Sequence, residues 1–179
     1  MGPESTLRNG ENSPGVNSGV LRMPALSAER LETLESMRTS IDAFAAHLER
    51  AHAMFLEAKK QPPGSDEAKK TIHDGKQHIT NALRALDSLK HLIGLKPEQV
   101  THIANHLHRA SMRLSKIGDA IDLALQENEI NGHTTTMTDL AEACPRASQD
   151  LEISLGDPLR RTLTEGRSSD HDSLSALTS

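Results

Sequence analysis

The sequence predicts an all-α protein: an antiparallel up-down-up bundle of three long helices, a shorter, proline-kinked fourth helix, and disordered tails. Three segments carry apolar residues at alternating three- and four-residue steps, which place a narrow apolar seam along one side of a helix, as in a coiled coil. Short links containing Pro and Gly join these segments, and short links make successive helices antiparallel neighbours. Aromatic residues make up only 1% of the 179 residues, which disfavours sandwiches and barrels.

The chain begins with a segment that we expect to be disordered. Residues 1–25 are rich in Gly, Ser, Asn and Pro and show no apolar period. Such a segment buries too little apolar surface to offset the entropy lost on ordering. The sequence therefore predicts a disordered leader over 1–25 and a helical bundle over 26–155.

The first long helix is predicted to start after Ser27, a good N-cap residue, and to end before Gln61-Pro62-Pro63-Gly64. Neither Gly nor Pro interrupts the segment between them. Its seam consists of Leu34, Met37, Ile41, Phe44, Leu48, Ala51, Phe55 and Ala58.

The second and third helices are predicted to be joined by Ile93-Gly94-Leu95-Lys96-Pro97. Ser65 is expected to cap the second helix, and Pro97 suits the first turn of the third, where its missing N–H is not needed. Gly75 lies on the second seam and therefore predicts a tight contact or a local kink. The second seam is Ala68, Ile72, Gly75, Ile79, Ala82, Leu86, Leu89 and Ile93, and the third is Val100, Ile103, Leu107, Ala110, Leu114, Ile117, Ile121 and Ala124.

A shorter fourth helix is predicted after Asn131-Gly132, with Thr136 as its cap. Pro145 lies inside this segment and removes a backbone donor, so we expect it to kink or split the helix. From Gly156 onward the chain is polar, rich in Ser and aperiodic, which predicts a disordered tail over 156–179. The apolar stripe of the fourth helix is Leu140, Cys144, Ala147 and Leu151.

Composition bounds the function and the compartment. A net charge of −5 and the scarcity of aromatic rings argue against a nucleic-acid-binding surface. A lone cysteine, Cys144, excludes an intrachain disulfide and fits a reducing compartment. The sequence has no apolar run of about 18 residues and no signal-peptide core. We therefore expect a protein without a membrane span that is cytoplasmic or is exported by a route that needs no signal peptide.

A cationic stripe flanks the seam of the third helix, because its members follow the same steps shifted by one residue. One interpretation is an anion-binding surface for a phosphate, a lipid headgroup or an acidic partner. The other, which we favour, is pairing with an acidic stripe on the first helix, because charges beside a seam commonly set register. The cationic stripe is His102, His106, Arg109, Arg113 and Lys116, and the acidic stripe is Glu35, Asp42 and Glu49.

The sequence predicts no catalytic, cofactor or metal site. His102 and His106 are one turn apart and could supply two metal ligands, but a zinc site needs three or four protein ligands and the rest are missing. Cys144 lies on an apolar stripe, as a small core residue would, rather than beside a base. No Gly-rich phosphate loop, metalloprotease motif or nucleophile elbow is present.

Two short stretches of the sequence resemble motifs of known families. Gly75-Lys76-Gln77, Gly94-Leu95, Pro97–Val100 and Ile103-Ala104 resemble parts of one transcription-activator-like effector repeat, which would imply DNA binding from a loop near Ile72-His73. The seam of the second helix runs unbroken through that position, and a solenoid requires several repeats. The sequence therefore does not predict such an array.

A second short motif resembles the arginine motif of bacterial Rho-GTPase-activating effectors. It consists of Pro158-Leu159-Arg160 with Thr164. Those effectors continue with a helical domain after the motif, whereas only fifteen residues follow Thr164 here. The sequence therefore does not predict that activity.

The sequence thus predicts a non-enzymatic helical-bundle module that binds another protein. An acidic peptide or an anionic membrane surface is compatible with the cationic stripe, and self-association through the seams stays open. The alternative is a bacterial secreted effector, since the Ser-, Asn- and Gly-rich leader resembles the export leader of type III substrates. Glu4 and Glu11 depart from that leader pattern.

Overall fold

The computed structural model describes residues 27–92, 97–126 and 131–167. Within these ranges nearly every residue is helical and no strand forms, which confirms the predicted all-α class. The predicted leader, residues 1–25, lies outside the described residues. The elements are α1 (Ala28–Lys60), α2 (Asp66–Leu92), α3 (Pro97–Gln126), α4 (His133–Leu151), a π-helical turn (Glu152–Gly156) and α5 (Asp157–Arg167).

The starts of the first three helices are as predicted. The Ser27 hydroxyl accepts a hydrogen bond from the Arg30 N–H at 3.1 Å, and the Ser65 hydroxyl accepts one from the Ala68 N–H at the same distance. Pro97 is the first residue of α3. The predicted cap of α4 is wrong, because the helix already begins at His133 and the Thr136 N–H donates within it to the Gly132 carbonyl at 2.8 Å.

The predicted seams form one shared core. All the seam residues of α1 are buried, and so are those of α2 from Ala68 to Leu89. On α3 the seam is buried from Leu107 to Ile121, whereas Ile103 and Ala124 are half-buried near the helix ends. Because the seams cover one another within the chain, self-association through them would require this core to open.

The helices are not packed equally. α1 packs most extensively against α2 and then against α4, whereas α3 makes sparser contacts with α2 and α4. Cross-helix contacts join the end of α1 to the start of α4, where the His133 imidazole is 2.8 Å from the Ala58 carbonyl. α1 and α3 therefore lie mainly across the core from each other, with α2 and α4 between them.

Pro145 is predicted to kink or split the fourth helix. The split is wrong, because α4 continues through this residue to Leu151, and the kink stays a prediction. Proline has no N–H, so the carbonyl four residues earlier, on Ala141, loses its usual donor. His52 of α1 compensates, since its Nδ1 lies 2.5 Å from the Ala141 oxygen. A carbonyl oxygen only accepts, so this ring nitrogen carries the proton. Tertiary contact with α1 thus satisfies the group that the proline left unpaired.

The prediction of a disordered tail from Gly156 onward is wrong up to Arg167, and residues 168–179 lie outside the described residues. Leu155, Leu159 and Leu163 are buried against the core at four-residue steps. Such steps drift around an ordinary helix of 3.6 residues per turn, and the wider π-helical turn counters that drift. α4, the π-helical turn and α5 form one continuous helical stretch, and Pro158 lies inside it, directly after the π-helical turn.

Candidate interaction surface on α3 and α4

The structure brings three members of the predicted stripe together on the surface of α3 nearest α4. Arg109 and Arg113 are 53% and 43% exposed, and a guanidinium nitrogen of each lies 3.9 Å from the Asp150 carboxylate. Lys116, one turn further along, is exposed. His106 is half-buried, and the side chain of His102 lies outside the described part of α3.

The sequence favoured pairing of the cationic stripe with Glu35, Asp42 or Glu49 of α1. For Arg109 and Arg113 with Asp42 this prediction is wrong. Arg109 and Arg113 approach Asp150 of α4, whereas Asp42 is bound by Arg38 and by Arg160. The reason is topological. In a three-helix bundle every helix neighbours the other two, but here a complete fourth helix lies beside both α1 and α3.

A groove runs between α3 and α4 beside these cations. Its open volume is about 350 Å³, which falls within the range of ligand-binding clefts. Apolar side chains form its floor, cations line much of its rim, and Thr136 and Asp139 lie at one end. We call this feature the α3–α4 groove. Its floor consists of Ile117, Ala120, Leu140 and Ala143, and its cationic rim of Arg113, Lys116 and Arg146.

The cations on the rim are weakly engaged by the protein itself. Arg146 lies 3.7 Å from Glu142 on its own helix, and Arg113 lies 3.9 Å from Asp150. Exposed ion pairs of this kind typically contribute only about 0–1 kcal/mol to the stability of the folded protein. Lys116 forms no ion pair with any residue that the structure describes. The rim can therefore bind an incoming carboxylate, and guanidinium groups do so with paired hydrogen bonds.

The outer side of α3 also exposes large apolar side chains. Met112 and Leu123 are 48% and 54% exposed, the largest exposed fractions among the large apolar side chains described on the four long helices. Gly118 lies between them in the chain, and a Cβ atom placed there would meet nothing within 4 Å. α3 is thus the helix that its own fold covers least.

A second groove, between α1 and α4, has an acidic rim. Its volume is about 700 Å³, and its rim includes Asp42, Glu49 and Glu152. Arg160 of α5 already binds two of these carboxylates: it contacts Glu152 through both terminal nitrogens and lies 2.5 Å from Asp42. These hydrogen bonds, above all that to Glu152, raise the pKa of Arg160. The acidic rim is therefore largely matched within the chain.

Sequence reasoning missed Arg160 as a structural residue. Gly156 accommodates it, because a Cβ there would lie 2.9 Å from a Glu152 oxygen and 3.2 Å from an Arg160 nitrogen. One pattern in the sequence does indicate that this region packs against the core: Leu155, Leu159 and Leu163 recur at four-residue steps despite the Gly and Pro near them.

Cys144 is a core residue, as predicted. Its thiol is fully buried and donates to the Leu140 carbonyl at 3.3 Å. Burial raises the pKa of this thiol to about 12, so the thiolate that nucleophilic chemistry needs is scarce at neutral pH. The described residues contain no group of three or more His, Cys, Asp or Glu side chains placed to bind a metal ion.

In the described part of the chain, no helix combines the length and the apolar character needed to cross a membrane.

Comparison of the chain with protein-family models, with curated protein sequences and with solved structures gave no match. The two local resemblances gain no support from the fold. α2 is an uninterrupted helix through Ile72-His73, where an effector repeat would have its DNA-contacting loop, and the Arg160 guanidinium is bound by the chain's own carboxylates.

Proposed function

We propose that the protein is a non-enzymatic interaction module whose α3–α4 groove binds an acidic, amphipathic helical segment of another protein. The observation that carries the proposal is the combination of an apolar floor with a rim of three cations on the two sides of one groove. An amphipathic helix binds such a groove by inserting apolar side chains spaced three or four residues apart. Carboxylates beside those side chains then meet Arg113, Lys116 and Arg146.

The size of the groove sets the expected affinity. A volume of about 350 Å³ is roughly twice that of a cavity that accommodates a benzene ring, so it has room for about two large apolar side chains. The contact is smaller than a standard protein–protein interface, and we expect a Kd on the order of 10 µM. The electrostatic part of binding should weaken as salt is added, because the rim is exposed.

The test measures binding of a fluorescent acidic amphipathic peptide by anisotropy. Reversing two rim charges, with Lys116→Glu and Arg146→Glu, should weaken binding at least about tenfold, which corresponds to about 1.4 kcal/mol. The matched control reverses two exposed cations of α2, with Lys70→Glu and Arg84→Glu. It changes the net charge equally and should alter the Kd by less than about twofold, since α2 lies away from the groove.

A second variant tests the floor without changing charge. Ala143→Phe should fill the groove and weaken peptide binding, because Ala143 is half-buried on its floor. A melting curve for each variant shows whether the fold is intact. Equal loss of binding in the rim variant and in the α2 control would contradict the proposal. Binding to anionic vesicles but not to the peptide would assign the surface to membranes instead.

The export alternative depends on residues 1–25, which lie outside the described residues. It stays a prediction that a secretion assay tests, with this segment fused to a reporter.

A further inference from the structure

The charges along the α3–α4 groove are not uniform. α3 and α4 run in opposite directions. The middle of α3, at Arg109 and Arg113, meets Asp150 near the end of α4, whereas Ala124 near the end of α3 and Thr136 at the start of α4 line one small cavity. Arg113 and Arg146 therefore lie toward the same end of the groove. Asp139, seven residues before Arg146 on α4, lies toward the other end with Thr136 and Ala120. At about 1.5 Å per residue, the two ends are about 10 Å apart.

The two ends favour opposite charges. Guanidinium groups lie at one end, where a carboxylate is favoured. At the other end the exposed Asp139 forms no ion pair with any described residue. A second carboxylate placed beside Asp139 would be repelled, whereas an ammonium or guanidinium group would be attracted.

We infer that the groove selects a helical segment with an acidic residue at one position and a basic residue seven positions away, with two apolar residues between them. This inference rests on the proposed function and specifies the partner of the same groove. Residues at i and i+7 lie on one face of a helix, about two turns or 10 Å apart, which matches the distance between the two ends. Apolar residues at i+3 and i+4 lie on that face and reach the floor.

The two-turn spacing also explains the role of Asp139. Without it, the rim would favour any acidic helix in proportion to its charge. With it, a segment that is acidic along its whole length is disfavoured, and such repulsion against the wrong partner is a common source of specificity. Asp139 is thus a specificity-determining residue, not a contributor to the fold, since its side chain is exposed.

The test combines two peptides with two proteins. Both peptides carry Glu at i and Leu at i+3 and i+4; one has Lys at i+7 and the other has Glu there. The wild-type protein should bind the Glu–Lys peptide about three- to tenfold more tightly than the Glu–Glu peptide. Asp139→Lys should reverse this preference, and Asp139→Asn should remove most of it without reversal. The ratio of the two Kd values is compared between the wild-type protein and each variant. The difference in helicity between the free peptides is the same for every protein and therefore cancels.

The outcomes separate this inference from the proposed function. If both peptides bind equally to every variant, yet binding is lost in the Lys116→Glu/Arg146→Glu protein, the selectivity is wrong and the interaction surface stands. If neither peptide binds, or if binding ignores the rim reversal, both proposals are wrong. Melting curves should be unchanged for the two Asp139 variants, so a failure to fold does not confuse the result.

Discussion

The α1–α2 interface and the α3–α4 side of the bundle are built from the same kind of apolar repeat but are packed very differently. Between α1 and α2, Gly75 lies so close to the buried Phe55 ring that a Cβ atom there would be 2.8 Å from it. On α3, a Cβ atom at Gly118 would touch nothing within 4 Å, and a groove separates the outer parts of α3 and α4. The α1–α2 side is therefore tightly packed, whereas the α3–α4 side keeps an open groove.

The largest test of this comparison removes core side chains from both sides. Leu48→Ala in α1 and Leu107→Ala in α3 should each lower the free energy of unfolding by about 2–5 kcal/mol. We expect the loss for Leu48→Ala to lie at the upper end of this range and the loss for Leu107→Ala at its lower end. The reason is that α3 is sparsely packed and can shift to fill part of the cavity that the smaller side chain leaves. Urea unfolding measures both. Met112→Ala, at a side chain that is 48% exposed, should change little. Equal costs for the two core variants would show that the two sides are equally rigid.

A smaller and sharper test uses the two glycines. Gly75→Ala should destabilise the protein by about 1–2 kcal/mol, because overpacking against Phe55 costs more than the roughly 1 kcal/mol gained in helix propensity. Gly118→Ala should stabilise it by about 0.5–1 kcal/mol, because the added methyl group meets open space. Thermal melting gives both values. The same sign at both positions would overturn the contrast between the close packing at Gly75 and the open space at Gly118.

The smallest expected effect concerns acidity at the α1–α2 interface. The imidazoles of His47 and His78 are stacked, with ring centroids 5.6 Å apart and Nδ1 atoms 3.4 Å apart. Partial burial, followed by the nearby His78 and Arg50, lowers the pKa of His47 from its ordinary 6.5. A lowered pKa means that the unfolded chain binds the proton more readily, so stability is full above pH 6.5 and falls as the pH drops through that value.

The measurement is urea unfolding between about pH 7.5 and 5, a window that spans the ordinary histidine pKa. His47→Gln should flatten this pH dependence, whereas His73→Gln, at an exposed position on α2, should leave it unchanged. Because His47 is only half-buried, the change should be smaller than the glycine effects. If the free energy of unfolding depends on pH in the same way in His47→Gln and in the wild type, His47 is not the source of the acid sensitivity.

Local patterns were enough to predict the three long helices and most of the residues that α1 and α2 bury. The alternating three- and four-residue steps of α1 and α2 identify the buried residues there, because helical geometry places them on one side whatever the neighbour is. Ser27 and Ser65 could be recognised as caps for a similarly local reason, since a cap bonds to an N–H only three residues away. The tight contact expected at Gly75 is also present.

What only the tertiary structure decided involves groups that are distant in the chain. Pro145 has a local signal for breaking a helix, and the donor that keeps α4 continuous comes from His52 on another helix. Gly156 and Pro158 locally disfavour a helix. α5 forms there nevertheless, because its leucines are buried in the core and Arg160 pairs with Asp42. Arg109 and Arg113 belong to a stripe that the sequence shows, but their neighbour, Asp150, follows from the order in which the helices surround the core. Periodicity determines which side of a helix is buried, whereas the partner of each exposed charge depends on which helices become neighbours, and that is a property of the whole fold.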